Sequence, residues 1–334
     1  MVARKQASQW VRTAFVLVVC AGLANATDIW VSGTGDDIQG DGSSGSPFRT
    51  ITTAMQAANA NDTIKVLTGT YTVAVGESFP ISIKPGVDIL GQETEQVDWP
   101  RIGGDVADSS VRALFEVVGD ASNGDRTGII LRKLRFEDED STGEDAPSAV
   151  YLENADGRDA EATLDNCLIE RGEMNDTGND NRASIVVVGG DAEDGANSGI
   201  VHLNIIGGSI NPTAQGGVEA RISTDASSPD RASFDIDVRD CGFALTGSQT
   251  SRCAIDLLLD AYDGTTGLEA DLECTISGNL IDSRECTGTG ASTRASRSAA
   301  TPGTADPSKW VTRPVHPRQP GLRLQRVRTA RVQR

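Results

Sequence analysis

The sequence predicts an all-β fold, a right-handed parallel β-helix with a short N-terminal capping helix. Three observations carry this. Residues 28–91 run as strand, polar loop, short amphipathic helix and then short strands, the order needed to close the open end of a stack of coils. From Ala149 a strand recurs at Ala183, Gly217 and Cys253, each followed by a polar loop and a second strand region. The 334 residues include 36 glycines and only 4% aromatics, which suits a thin, turn-rich solenoid.

Residues 1–26 read as a secretory signal. Arg4, Lys5 and Arg12 supply the positive region, and residues 14–23 are an apolar core too short to span a bilayer. Ala24-Asn25-Ala26 is a small-x-small cleavage site before Thr27. Acylation of Cys20 is the runner-up, disfavoured by Val19 where a small residue is expected. The expected setting is secreted or cell-surface, periplasmic or extracellular, with no membrane span.

The cap occupies residues 27–95. Ile29, Trp30 and Val31 form a β-prone run, and residues 32–46 are a Gly/Asp/Ser loop closed by Pro47 and Phe48, the latter an apolar plug. Ile51, Ala54, Met55 and Ala58 fall at helical spacing, so a short helix covers 50–58 and ends at Asn61-Asp62. Residues 63–67 alternate like a strand, Gly69-Thr70-Tyr71 turns out of it, and Ile81-Ser82-Ile83 and residues 87–90 are further strands.

The pieces Ile29-Trp30-Val31-Ser32, Gly35-Asp36-Asp37, Pro47-Phe48-Arg49-Thr50-Ile51, Ala57-Ala58, Asp62-Thr63-Ile64-Lys65-Val66, Gly69-Thr70-Tyr71, Phe79-Pro80-Ile81 and Lys84-Pro85-Gly86-Val87 stand in the order of a known family. They resemble the domain of unknown function 1565, found at the start of secreted pectin-lyase-like β-helix proteins. The resemblance covers about 65 residues, a fifth of the chain. It implies a fold and a secreted setting and no activity. Such caps carry Gly before the Asp-Thr-Ile; this chain has Asn61, which also tolerates a left-handed backbone.

Residues 96–286 are read as the coils. Strands are expected at 99–104, 114–118, 129–131 and 134–136, with a solvated acidic loop at 137–145. In the repeats Ile185, Val187, Val218, Ile222, Ile255 and Leu257 are expected to stack as apolar ladders. Cys241 and Cys253 lie 12 apart, as do Cys274 and Cys286, which suggests two disulfides, each clamping a turn, with Cys167 left over. The rival reading is buried free thiols at Cys167, Cys241 and Cys274. After Cys286 the repeat stops. Residues 287–334 carry ten Lys or Arg and one acid, about +9, against a whole-chain charge of -18. This is either a disordered basic tail or an out-of-frame segment.

The negative balance argues against nucleic acid and anionic membranes as partners. No Lys lies between Ala149 and Cys286, which disfavours a lysine base on the repeats; the lysines Lys65, Lys84 and Lys133 sit in the cap and first coils. Repeat arginines are Arg158, Arg171, Arg182, Arg221, Arg239 and Arg252, of which Arg182 and Arg252 share one repeat position. Asp235 and Asp237 share one side of a strand, with Asp240 beside them and Asp256, Asp260 and Asp271 following. Asp235, Asp237 and Asp256 are therefore the candidates for acid–base work. His202 lies in a strand and reads as structural. Asp176, Asp180, Asp191, Glu193 and Asp194 lie on short Gly-containing loops suited to calcium, though without EF-hand or nonapeptide spacing. Aromatics on the repeats are Tyr151, Phe234, Phe243 and Tyr262, too few for a broad sugar-stacking platform. The functional expectation is a secreted β-helix protein that binds an extracellular polysaccharide or serves as a surface or stalk component, with no cofactor unless calcium. The alternative is a polysaccharide lyase or glycoside hydrolase.

Overall fold

The computed structural model describes residues 26–103, 111–138, 147–155, 157–171, 183–189, 199–211, 216–222, 231–244, 253–258, 269–277, 279–282 and 323–328. The chain is a parallel β-helix with three sheets. Sheet A has nine strands: β1 (Asp28–Val31), β2 (Thr63–Val66), β5 (Asp88–Gly91), β8 (Arg126–Arg132), β11 (Ala160–Asp165), β14 (Ile200–Ile206), β17 (Arg231–Arg239), β20 (Glu269–Ser277) and β22 (Arg323–Arg328). Sheet B stacks β4 (Ile81–Ser82), β7 (Ala113–Gly119), β10 (Ser148–Asn154), β13 (Ile185–Gly189), β16 (Gly216–Ile222) and β19 (Cys253–Leu258). Sheet C stacks β3 (Thr70–Thr72), β6 (Arg101–Gly103), β9 (Arg135–Asp138), β12 (Leu168–Arg171), β15 (Ser209–Asn211), β18 (Gly242–Ala244) and β21 (Leu280–Asp282). Each turn of the stack visits A, then C, then B.

Every strand repeats the pleat of the one before it, so inward residues lie in columns about 4.8 Å apart. Sheet A contributes Ile29, Ile64, Ile89, Leu131, Leu164, Ile205 and Val238. Sheet C contributes Tyr71, Ile102, Phe136, Ile169, Ile210 and Phe243. Sheet B contributes Ile81, Phe115, Val150, Ile185 and Val218. All of these are buried and form one continuous core, in which Phe115 and Phe136 meet edge to face at 5.5 Å.

From β8 onward the corner from sheet A to sheet C takes only two residues. The first is left-handed: Lys133 (φ 54°), Asn166 (φ 53°), Gly207 (φ 67°) and Asp240 (φ 55°). The second, Leu134, Cys167 or Cys241, is buried. This corner divides what the sequence shows as one strand region: residues 163–169 are the end of β11, the bend at Asn166, and the start of β12.

The cap is built as its sequence pattern suggests. Helix α1 (Ile51–Ala57) buries Ile51, Ala54 and Met55, with Ala58 just beyond it. At two turns it is too short to hold itself, and its ends are tied by side chains. Thr50 is the N-cap. Asp37 accepts from the backbone N–H of Arg49 and Thr50, and Glu77 from those of Ile51 and Thr52. Lys84 Nζ donates to the carbonyls of Gln56 and Ala58. Asn61 takes the left-handed conformation, φ 71°. The loop at 32–46 folds back along β1: Trp30 N donates to Gly42 O, Phe48 N to Trp30 O, and Ser32 N to Phe48 O. It thereby covers the first open edge of sheet A.

Three expectations need correction. Gly69-Thr70-Tyr71 is not a turn: residues 70–72 are β3, with Tyr71 wholly buried as the first member of the sheet C column. The sheet B ladder places Ala220, not Ile222, between Val187 and Leu257, while Ile222 pairs with Gly189. The basic tail is not free of strand. Arg323–Arg328 pairs with β20, and Arg323, Arg326 and Arg328 take register positions opposite Glu269, Asp271 and Glu273.

Candidate functional site

The outer face of sheet B carries a polar cluster around Arg112. Alternation puts Phe115, Val117, Val150 and Leu152 in the core and turns Glu116, Tyr151 and Glu153 outward. Arg112, just before β7, joins them. Its Nε donates to Glu116 at 2.6 Å and an Nη to Glu153 at 3.1 Å, and its guanidinium lies 4.0 Å over the Tyr151 ring. Burial would lower the affinity of Arg112 for its proton. The hydrogen bond to Glu116 and the charges of Tyr151, Glu116 and Glu153 outweigh that and raise it. Arg112 is a fixed cation that bridges the two carboxylates of neighbouring coils. Beyond it, Tyr151, Val186 and Val188 form a second apolar cluster with Ala113 and Ala183 and are buried, although they lie on the side away from the core. Along the same column Glu116 is followed by Tyr151, Val186, Glu219 and Asp256 in register.

Sheet A carries the second cluster. His202 Nδ1 lies 3.3 Å from Asp235 Oδ2, and both are partly exposed. Glu161 and Glu273 occupy the flanking register positions. On the next outward column Asp237 is paired with Arg239.

These placements separate the acid–base candidates. Asp235 and Asp237 do share the outer face of β17. Asp256 does not join them: it lies on β19 in sheet B, and the residue that pairs with Asp235 in the following coil is Glu273. The reason is topological, because the two strand regions of each repeat belong to different sheets. The arginine candidates are likewise structural where described, Arg239 with Asp237 and Arg158 3.9 Å from Asp125. Among the lysines, Lys65 pairs with Asp28 at 2.5 Å, Lys84 holds the end of α1, and Lys133 forms a corner. Asp176, Asp180, Asp191, Glu193 and Asp194 lie outside the described residues. Among the described residues no group of three or more His, Cys, Asp or Glu side chains is placed to hold a metal ion, and no helix is long and apolar enough to cross a membrane.

Cys241 is a free, buried thiol. Its Sγ lies 3.1 Å from Arg239 O and 3.2 Å from Gly207 O. Cys167 is free and buried at the equivalent corner. Burial pushes both thiols up to about 12. The side chains of Cys253 and Cys274, and Cys286 altogether, lie outside the described residues.

Arg112, Glu116 and Glu153 were not singled out from sequence. Their strands were legible, and so was the alternation that turns Glu116 outward. The register that sets Glu116 beside Tyr151, and the position of Arg112 between two coils, were not.

The segment that makes the cap has known relatives. Residues 33–103 match the family described as Protein of unknown function (DUF1565). The DUF1565 match thus runs from the loop over β1 to the end of β6 and leaves the later coils outside it. No curated protein matches the chain. A solved structure described as "Crystal structure of escherichia coli ybhc" is 13% identical, covering 77% of this chain and 72% of that one with a TM-score of 0.36, too loose an overlap to carry an argument.

Proposed function

We propose that this chain is an exported β-helix protein that works by presenting surface, holding an extracellular polysaccharide or anchoring to a cell surface, rather than by catalysis. One observation carries this reading: Asp235 and Asp237, the acid–base candidates whose side chains are described, and other outward carboxylates are engaged with His or Arg side chains on the same or neighbouring strands. Asp235 faces His202, Asp237 pairs with Arg239, and Glu116 and Glu153 share Arg112. Asp165 with Arg132, and Glu170 with Arg135, follow the same pattern. The contacts of Arg112 with Glu153, Arg132 with Asp165, Arg135 with Glu170 and His202 with Asp235 join coil to coil, the task of a scaffold. Phe234 and Phe243 are core residues and Arg112 covers a face of Tyr151, so contact with a glycan would run through hydroxyl–carboxylate hydrogen bonds, or through calcium on the acidic connections, rather than through stacking.

The test is a screen of the exported full-length protein on uronate-rich and neutral polysaccharides, with calcium and with chelator, reading retention and chain cleavage together. Retention without cleavage is the expected result. New unsaturated ends would replace the proposal with a lyase. New reducing ends without unsaturation would replace it with a hydrolase.

A further inference from the structure

Thr27 follows the expected cleavage site Ala24-Asn25-Ala26, and the hydrogen bonds that tie the start of the described chain to the stack begin with it. Its carbonyl accepts from Thr63 N at 2.9 Å. Its nitrogen donates to Asp62 Oδ1 at 2.9 Å, and its hydroxyl donates to the same oxygen at 2.7 Å. Asp62 is 3% exposed, and its other oxygen accepts from Asn59 N at 2.7 Å. Burial would raise the Asp62 carboxyl, yet the donors on Asn59 and Thr27 outweigh it and hold the group below the usual carboxylate range. Asp62 is thus an ionised carboxylate in the wall of the cap, with neutral donors as its partners among the described residues.

We propose that removal of residues 1–26 turns this contact into an ion pair between the α-ammonium of Thr27 and the carboxylate of Asp62, so that maturation itself completes the cap. The inference rests on the exported reading above. Hydrolysis of the Ala26–Thr27 amide by a signal peptidase consumes one water, leaves a carboxylate on Ala26 and frees an α-amine on Thr27. That amine takes up a proton below its ordinary pKa of about 8. The nitrogen need not move, since it already lies at hydrogen-bond distance from Asp62. Replacing a neutral N–H by an ammonium makes that bond charge-assisted. Asp62 lies between α1 and β2 and reaches back to the residue before β1, so the new pair ties three elements of the cap together. The other charged groups on the strands around it are Asp28, Lys65 and Asp88. Lys65 is already paired with Asp28, and Asp88 Oδ1 accepts from Ile130 N at 3.0 Å.

Two forms of the chain 27–334 decide the matter, one with a free amine at Thr27 and one Nα-acetylated under conditions that leave the lysines protonated. At pH 6.5 acetylation is expected to lower the melting midpoint by on the order of 2 °C and to speed amide exchange in α1. The gap should close as pH rises past the amine's pKa. In an Asp62→Asn background acetylation should change nothing. Because that variant loosens the cap by itself, the exchange difference between the two wild-type forms is the deciding readout. Equal midpoints and equal exchange for free and blocked wild-type protein would overturn the ion pair. N-terminal sequencing of the exported protein separates the two readings. A start other than Thr27 removes the maturation step, whereas a start at Thr27 with equal midpoints removes the ion pair and leaves export standing.

Discussion

Glu77→Ala should open the cap. Glu77 is 3% exposed, and its carboxylate accepts from Ile51 N at 2.6 Å, Thr52 N at 3.0 Å and Thr52 Oγ1 at 2.6 Å. Ile51 is fully buried, so its N–H has no ready water to replace the lost acceptor, which alone costs about 1–3 kcal/mol. The two Thr52 donors lie nearer solvent and add about 0.5–1 kcal/mol each. The sum is about 2–5 kcal/mol, concentrated on a two-turn helix that has no stability of its own. Solenoid ends open separately from the middle, so hydrogen exchange over residues 51–58 is the sharper assay, with urea unfolding beside it. The pH dependence adds an independent check. Burial raises the Glu77 carboxyl against the opposing hydrogen bonds from Thr52 and Ile51, and the charge of Asp37 adds to the rise. A carboxyl raised on folding binds its proton more tightly in the folded state. Its contribution to stability therefore falls as pH climbs from the ordinary to the raised value and is flat below that window. Glu77→Ala should remove this slope. Unchanged exchange in residues 51–58, or a stability loss below about 0.5 kcal/mol, would refute the reasoning.

Three further outcomes are expected. Gly103→Ala should cost about 3 kcal/mol or more by chemical denaturation, because φ is +124° and a Cβ would fall 2.0 Å from Glu137 O. Arg112→Ala should cost about 1–2 kcal/mol. A double-mutant cycle with Glu153→Ala should show coupling, and Arg112→Lys should recover less than half because an ammonium cannot fork between two carboxylates while stacking on Tyr151. Cys167 and Cys241, buried and pushed up to about 12, should resist alkylation in the native protein at pH 8 and react after unfolding, as read by intact mass.

What the sequence showed well was what a local period can encode. The buried face of α1 follows from the spacing of Ile51, Ala54, Met55 and Ala58, and the bend at Asn61 from a side chain that tolerates positive φ. The strands of sheet B were visible because each opens with an apolar run after a polar loop. What failed was non-local. A three-residue strand such as β3 is too short to show alternation, so Tyr71 looked like part of a turn. Register is a relation between strands, and no pattern within β16 says that Val218 rather than Ala220 meets Ile185. Sheet membership is equally invisible within a strand, which is why Asp256 was grouped with two aspartates from another sheet.

The corner between sheets A and C accounts for the place of two cysteines as well as for the hidden third sheet. Four successive corners read Lys133-Leu134, Asn166-Cys167, Gly207-Gly208 and Asp240-Cys241. The first residue bends the chain with φ between 53° and 67°, where Asn, Asp and Gly are the cheapest occupants. In three corners the second residue is buried, and its space accepts Leu at Leu134 and sulfur at Cys167 and Cys241. In the fourth, a Cβ on Gly208 would lie 2.0 Å from Cys167 O, so that corner admits no side chain. Cysteine is used there as a small apolar filler whose Sγ lies against backbone carbonyls, such as Leu131 O of the preceding coil for Cys167. Cys253 is the first residue of β19, a strand of sheet B. The 12-residue spacing from Cys241 to Cys253 is the distance along the chain from this corner to the start of the next sheet B strand.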